Sequence, residues 1–221
     1  MKTAVFCDFD GTVCRRDVGA TLFKKFSGGR TDVLIPLWKD GTISTRECLR
    51  HEASMVTLDK QELYQFLDEF QLNPGFDRFY ELCRAGGVDI YVISDGFGFY
   101  IDYILKRFGY GELEVITNHG QLVDGVLTIE FPWKNRRCRR CGTCKGERIA
   151  EWRERQNGEN RVAFVGDGYS DLCALAESDL VFAKKDLEQY CLQNNIDHIV
   201  FDDFDDVIHH LQGRQWLPET N

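Results

Sequence analysis

Short apolar runs of strand length alternate with stretches of helical periodicity along most of this chain. Residues 2–10 (KTAVFCDFD), 88–95 (VDIYVISD) and 160–167 (NRVAFVGD) are rich in β-branched and aromatic residues, and each leads into a polar, Gly-containing turn. Residues 179–184 and 197–203 predict two further short strands. Between such runs the period changes. In 76–87, Phe76, Phe79, Tyr80 and Cys83 share one helical face, and Gly86-Gly87 ends the turn. Nearly continuous apolar strands separated by helices predict a parallel sheet covered on both faces, a doubly wound, Rossmann-like α/β core. Ligands of such sheets bind beyond the carboxyl ends of the strands.

Two segments interrupt this rhythm. Residues 17–73 carry no strong strand, and 17–26, 46–55 and 59–70 read as helices; Leu63, Phe66, Leu67 and Phe70 follow helical spacing. This predicts a small helical cap inserted after the first strand, with Asn73-Pro74-Gly75 returning the chain to a core of 1–16 and 74–221. Residues 115–133 read as a β-hairpin insertion within the core, its turn at Asp124-Gly125. Insertions of this length between core strands serve as lids or binding loops more often than as idle connections.

Composition narrows the class. The chain has 221 residues, 43% hydrophobic and 29% charged, ordinary globular values. No apolar run approaches the roughly 18 residues needed to cross a bilayer. MKTAVFCDFDG lacks a signal-peptide core, so a soluble, cytoplasmic protein is expected, with no membrane partner. A formal charge of −9 argues against nucleic acid as a partner. Nine cysteines in such a chain do not form a disulfide framework. Cys7, Cys14, Cys48, Cys83, Cys173 and Cys191 are scattered among apolar neighbours and read as buried thiols.

The candidate chemistry sits at the predicted strand ends. Asp8 and Asp10 flank Phe9 before Gly11-Thr12, where a turn lets the two carboxylates diverge. Like charges this close need a cation or a proton between them, which suits one carboxylate on a metal and the other in acid/base work. Ser94 is followed by Asp95-Gly96, a hydroxyl and amides suited to phosphate oxygens. Lys145 opens the helical stretch KGERIAEW, and Asp167 and Asp171 lie in GDGYSD after a strand. Carboxylate oxygens of this kind suit Mg²⁺.

This ordered set resembles the haloacid dehalogenase superfamily of phosphatases, in its phosphoserine-phosphatase-like branch with a helical cap after the first motif. The resemblance implies that Asp8 attacks phosphorus and that Asp10 protonates the leaving group and then activates water. It implies that Ser94, Gly96 and Lys145 hold the phosphoryl oxygens, and that Mg²⁺ binds Asp8, the main-chain carbonyl of Asp10, and Asp167, with Asp171 as ligand or support. NPGF at 73–76, ISDGF at 93–97, the TNH-containing hairpin and CRRCGTCK resemble a narrower group. That group includes the methionine-salvage phosphatase acting on 2-hydroxy-3-keto-5-methylthiopentenyl-1-phosphate. The expected partner is thus a small phosphorylated metabolite, with phosphoserine, an amino-alcohol phosphate or transfer to another acceptor as the alternatives. In phosphoserine phosphatases a cap acid faces the substrate ammonium, and Asp17 stands where that acid would; a helix N-cap is the equal alternative. Arg46 and Arg50 are candidates for the cap arginine of that family, but Glu52 falls near its expected place.

Cys138, Cys141 and Cys144 form C-x₂-C-x₂-C directly before Lys145. Three readings stand: reduced thiols in a loop, a structural Zn²⁺ site with His119 as a fourth ligand, or a redox pair in Cys138-Arg-Arg-Cys141. The basic stretch 134–148 also admits a zinc-knuckle nucleic-acid module, which the acidic chain opposes. His51, His198, His209 and His210 have no partner motif, and the acidic run from Asp202 to Asp206 reads as a solvated turn.

Overall fold

The computed structural model describes residues 1–219. Its centre is a seven-stranded sheet: β1 (Lys2–Cys7), β2 (Asp89–Phe97), β3 (Glu114–Val123), β4 (Val126–Glu130), β5 (Asn160–Gly166), β6 (Leu180–Ala183) and β7 (Ile199–Val200), in the order β4-β3-β2-β1-β5-β6-β7. Every pairing is parallel except β3 with β4. The hairpin is therefore more than an insertion. Its first strand pairs with β2 from Tyr91↔Glu114 onward and belongs to the core sheet, and only β4 runs against it.

The chain winds from β1 through β2 to β3, then returns to the other side of β1 as β5, β6 and β7. The carboxyl end of β1 is thus the switch point, where diverging connections leave a crevice.

Helices cover both faces. Successive β1 side chains alternate: Val5 and Cys7 join one cluster, Ala4 and Phe6 the other. The first face packs under α5 (Phe76–Ala85), α6 (Gly98–Arg107) and α10 (Phe204–Gly213). Phe76, Phe79 and Phe204 interlock there at centroid distances of 5.0–6.3 Å. The second face packs under α7 (Lys145–Glu154), α8 (Leu172–Leu175) and α9 (Lys185–Gln193) through Ile149, Trp152, Ala174 and Leu187. Full burial of a side chain such as Phe6 contributes roughly 1.5–3 kcal/mol before the entropy of ordering it is counted.

Residues 17–73 form α1 (Val18–Phe26), a 3₁₀ turn (Arg30–Val33), α2 (Leu34–Lys39), α3 (Thr45–Ser54) and α4 (Lys60–Leu67). The predicted 59–70 helix stops at Leu67, and α2 lies where no helix was expected. Capping boxes at Ser44/Glu47 and Asp59/Glu62 start α3 and α4, each satisfying two orphan N–H groups. The return is pinned by Asn73, whose N–H donates to Val13 O (2.8 Å) and whose Nδ2 donates to Thr12 O (3.0 Å). The hairpin turn meets this segment: Leu58 N–H donates to Gly125 O (3.3 Å). Among the described residues no helix is long and apolar enough to cross a membrane.

Candidate active site

β1 ends at Cys7, so Asp8 is the first residue beyond it, at the switch point. Asp8 is 3% exposed, and its Oδ1 lies 2.7 Å from Lys145 Nζ, which is fully buried. Lys145 occupies this position because it is the first residue of α7, aimed from the far side of the sheet edge. Its ammonium also touches Asp171 Oδ1. Burial works against that charge, but Asp171 and Asp8 outweigh it and hold Lys145 protonated well above its usual range. Asp8 itself is pushed up, by burial first and then by the nearby Asp171, with Lys145 opposing. A cation at this point therefore favours the ionised carboxylate.

Asp167 and Asp171 follow β5. Asp171 Oδ2 accepts from the N–H groups of Asp167 and Gly168, both at 2.9 Å, which curls the loop back on its strand. Asp8, Asp167 and Asp171 each present an oxygen within 4.8 Å of the others. Gly11 permits this crowding. Its φ is +79°, and a Cβ there would sit 2.2 Å from Asp167 Oδ2. These are hard oxygen donors, mostly carboxylate, with the character Mg²⁺ requires.

Asp10 turns away from that group. Its Oδ1 accepts from Val18 and Gly19 N–H (2.8 and 3.2 Å) at the start of α1, and its Oδ2 accepts from Tyr100 Oη (2.6 Å). Burial, then the charge of Asp17, push its carboxyl up to about 7, while the Tyr100 and backbone bonds restrain the rise. That value suits a group that must both give and take a proton near neutrality. Ser94 is buried, 3.5 Å from Asp10 Oδ2, and its Oγ accepts from Gly96 N–H (2.9 Å). The Gly96 amide thus holds the serine hydroxyl. Asp8, Asp10, Ser94, Asp167 and Lys185 line one cavity of about 420 Å³, together with residues from the helical segment 17–73.

The model of the Putative Phosphatase family matches residues 3–203. The chain belongs to that family. It is a phosphomonoester hydrolase of the haloacid dehalogenase type. It is 27% identical over 218 residues to 2-hydroxy-3-keto-5-methylthiopentenyl-1-phosphate phosphatase of Brevibacillus brevis, covering 97% of each chain. To the Bacillus cereus enzyme of the same name it is 28% identical over 220 residues, covering 96% of this chain and 99% of that one. A phospho-aspartyl intermediate analogue of phosphoserine phosphatase shares the fold with a TM-score of 0.73 at 18% identity, covering 95% of this chain and 98% of the other. A substrate-bound phosphoserine phosphatase gives 0.72 at 19% identity, with the same coverage.

In this phosphatase the cap wall of the cavity is part apolar and part acidic. Phe23, Ile35, Trp38 and Leu49 line it together with Asp17 and Glu52. Asp17 caps α1, accepting from Ala20 N–H (2.7 Å), and also lines the cavity. Glu52 is 5% exposed; burial, then the charge of Asp17, push its carboxyl up to about 8. Arg46 and Arg50 do not line the cavity. Both stack on Phe131 of the core, and Arg46 Nε donates to Cys141 O (2.8 Å).

Several site residues escaped the sequence. Tyr100 lies one helical turn into α6, where aromatic residues signal core. Lys185, whose Nζ donates to Asp167 Oδ2 (2.8 Å), follows β6 at the same sheet edge as the motifs, a placement that could have drawn attention to it. Asp95 ties the strand end to the cysteine loop: its Oδ1 accepts from Thr143 N–H (2.7 Å) and Asn118 Nδ2 (3.0 Å). The cysteine cluster also needs correction. Its fourth sulfur is Cys173, expected to be an isolated buried thiol; His119 is exposed on β3 and outside the group.

Proposed function

We propose that this phosphatase hydrolyses a small phosphomonoester in two steps through an aspartyl-phosphate on Asp8, with Mg²⁺ as cofactor. The observation that carries this reading is the division of labour between the two aspartates. Asp8 lies against the buried Lys145 ammonium at 2.7 Å, whereas Asp10 is held apart by Tyr100 with a carboxyl near 7.

In the first step Asp8 Oδ attacks phosphorus as the bond to the leaving oxygen breaks, and that oxygen takes the Asp10 proton. In the second, Asp10, now a carboxylate, accepts a proton from water. The water oxygen bonds to phosphorus, the Asp8–phosphorus bond breaks, and inorganic phosphate leaves. Lys145 and Ser94 hold the phosphoryl oxygens, and the raised charge state of Lys145 keeps its ammonium available throughout. Asp8, Asp167 and the Asp10 carbonyl would hold Mg²⁺, with Asp171 as ligand or support, and the ion would supply positive charge that offsets the crowded oxygens.

The cap lends the specificity. The cavity lining has no arginine, and its cations are Lys39 and Lys185. A substrate carboxylate such as that of phosphoserine would lack the bidentate partner it ordinarily meets. An uncharged chain with hydroxyl donors toward Asp17 and Glu52, and an apolar tail against Phe23, Ile35 and Trp38, suits the wall better. 2-hydroxy-3-keto-5-methylthiopentenyl-1-phosphate has that character. The facing carboxylates of Asp17 and Glu52 favour a second reading, an amino-alcohol phosphate whose ammonium sits between them.

Steady-state kcat/KM with Mg²⁺ on the methylthio substrate, phosphoethanolamine and phosphoserine tests this order. The methylthio compound is expected to exceed phosphoserine by at least about tenfold, given the unpaired carboxylate. Preference for phosphoethanolamine would establish the second reading, and preference for phosphoserine would overturn both.

A further inference from the structure

We infer that Cys138, Cys141, Cys144 and Cys173 form a tetrathiolate site for one structural Zn²⁺, separate from the catalytic cluster. Four sulfurs around a tetrahedral ion at roughly 2.3 Å must lie about 3.8 Å from one another. The four Sγ atoms lie within 4.8 Å of each other, and the Cys141–Cys173 pair is 3.9 Å apart. That spacing is nearly twice a disulfide bond and matches the edge of a sulfur tetrahedron.

The surroundings are built to hold it. Glu147 of α7 accepts from the backbone N–H groups of Arg136, Arg137 (2.8 Å) and Cys138 (2.6 Å), folding the loop over its own helix. Asn135 Nδ2 donates to Cys141 O (2.8 Å). Gly146 allows α7 to meet the Cys173 backbone, since a Cβ there would fall 2.0 Å from Cys173 O. Binding releases four thiol protons to solvent and leaves a net charge of −2 on the centre. Arg136, Arg137, Arg139 and Arg140 surround it in sequence, and Cys144 sits at the N-terminus of α7, where negative charge is favoured. None of the four lines the catalytic cavity, so the ion has no open path to substrate.

Its task follows from its neighbours in the chain. Cys144 precedes Lys145, and Cys173 lies two residues after Asp171, so the ion clamps the two segments whose side chains meet beside Asp8. The same loop receives the cap: Arg46 N–H donates to Arg140 O (3.3 Å) and Arg46 Nε to Cys141 O. One soft ion thereby steadies the phosphate-binding lysine, the acidic loop and a cap helix together.

Elemental analysis of full-length protein, purified without chelator and dialysed against excess Mg²⁺, should find about one zinc per chain. Protein produced with Co²⁺ in place of zinc should show the intense visible and near-ultraviolet bands of tetrahedral cobalt thiolate. Cys173→Ser should weaken zinc retention at least about tenfold in competition with a chromogenic chelator, and Cys191→Ala, a buried thiol outside the cluster, should retain it. Wild-type protein with less than about a tenth of an equivalent of zinc and no cobalt thiolate spectrum would overturn the site. So would a Cys141–Cys173 disulfide found by mass spectrometry in freshly prepared protein. None of these readouts depends on turnover, so they stand or fall independently of the proposed substrate.

Discussion

The acidic cluster draws on the end of β1 and the segment after β5, and the cysteine cluster on the approach to α7 and that same segment, yet they differ in almost every physical respect. Asp8 and Asp167 stand just beyond the ends of parallel strands and line a cavity, with Asp171 and the Lys145 ammonium buried beside them. The four sulfurs do not line that cavity; Glu147 ties their loop to α7, and Gly146 lets α7 meet the Cys173 backbone. Oxygen donors beside a cavity can exchange water, metal and substrate. A closed set of sulfurs can only hold. The difference places reactivity at the cavity and rigidity away from it.

The sharpest separation of the two comes from Asp8→Asn. It should lower kcat by more than about a hundredfold, because the amide keeps the size but loses the attacking charge. Zinc content should be unchanged. Steady-state turnover and metal analysis of one preparation check both halves, and loss of zinc with the activity would mean the clusters are one unit.

Tyr100→Phe should cost about tenfold in kcat, since Tyr100 only orients the Asp10 carboxyl that moves the proton. Pre-steady-state phosphate release would register the change, and an effect as large as that of Asp8→Asn would make Tyr100 a direct participant.

The smallest expected effect tests Glu52 in the cavity wall, whose carboxyl is acted on by burial and by the charge of Asp17. The carboxyl of Glu52 rises from an ordinary 4.5 to about 8, so the folded state keeps a proton that the unfolded chain releases. The contribution of this group to stability is therefore full below the lower value and is lost as pH rises through the upper one. Glu52→Gln should be more stable than wild type by roughly 2 kcal/mol at pH 9 and nearly equal at pH 4, after allowance for partial relaxation of the buried charge. Thermal or urea unfolding at the two pH values measures it; a gap independent of pH would show that no proton is retained.

Much of this was legible in the chain because it is local. A parallel sheet announces itself through continuous apolar runs, and its strand ends carried Asp8 and Asp167 in recognisable turns. Helical spacing marked 17–73 as a strand-free helical segment, although α2 was missed because Leu34–Lys39 is too short for a period to register. The hairpin was read as an insertion because its turn signal is local, whereas the pairing of β3 with β2 is not.

By itself, then, the sequence determined the alternation of core strands with helices, the strand-end positions of the acidic motifs and the C-x₂-C-x₂-C spacing, since each depends on neighbours a few residues apart. Only the tertiary structure could bring Tyr100 to Asp10 across 90 residues, Lys185 to Asp167 across 18, and Cys173 to Cys141 across 32. It also turned Arg46 and Arg50 away from the cavity and left Glu52 facing it. Those contacts are set by how helices pack on a twisted sheet. Hydrophobic burial drives that packing without direction, and steric fit then selects which side chains meet.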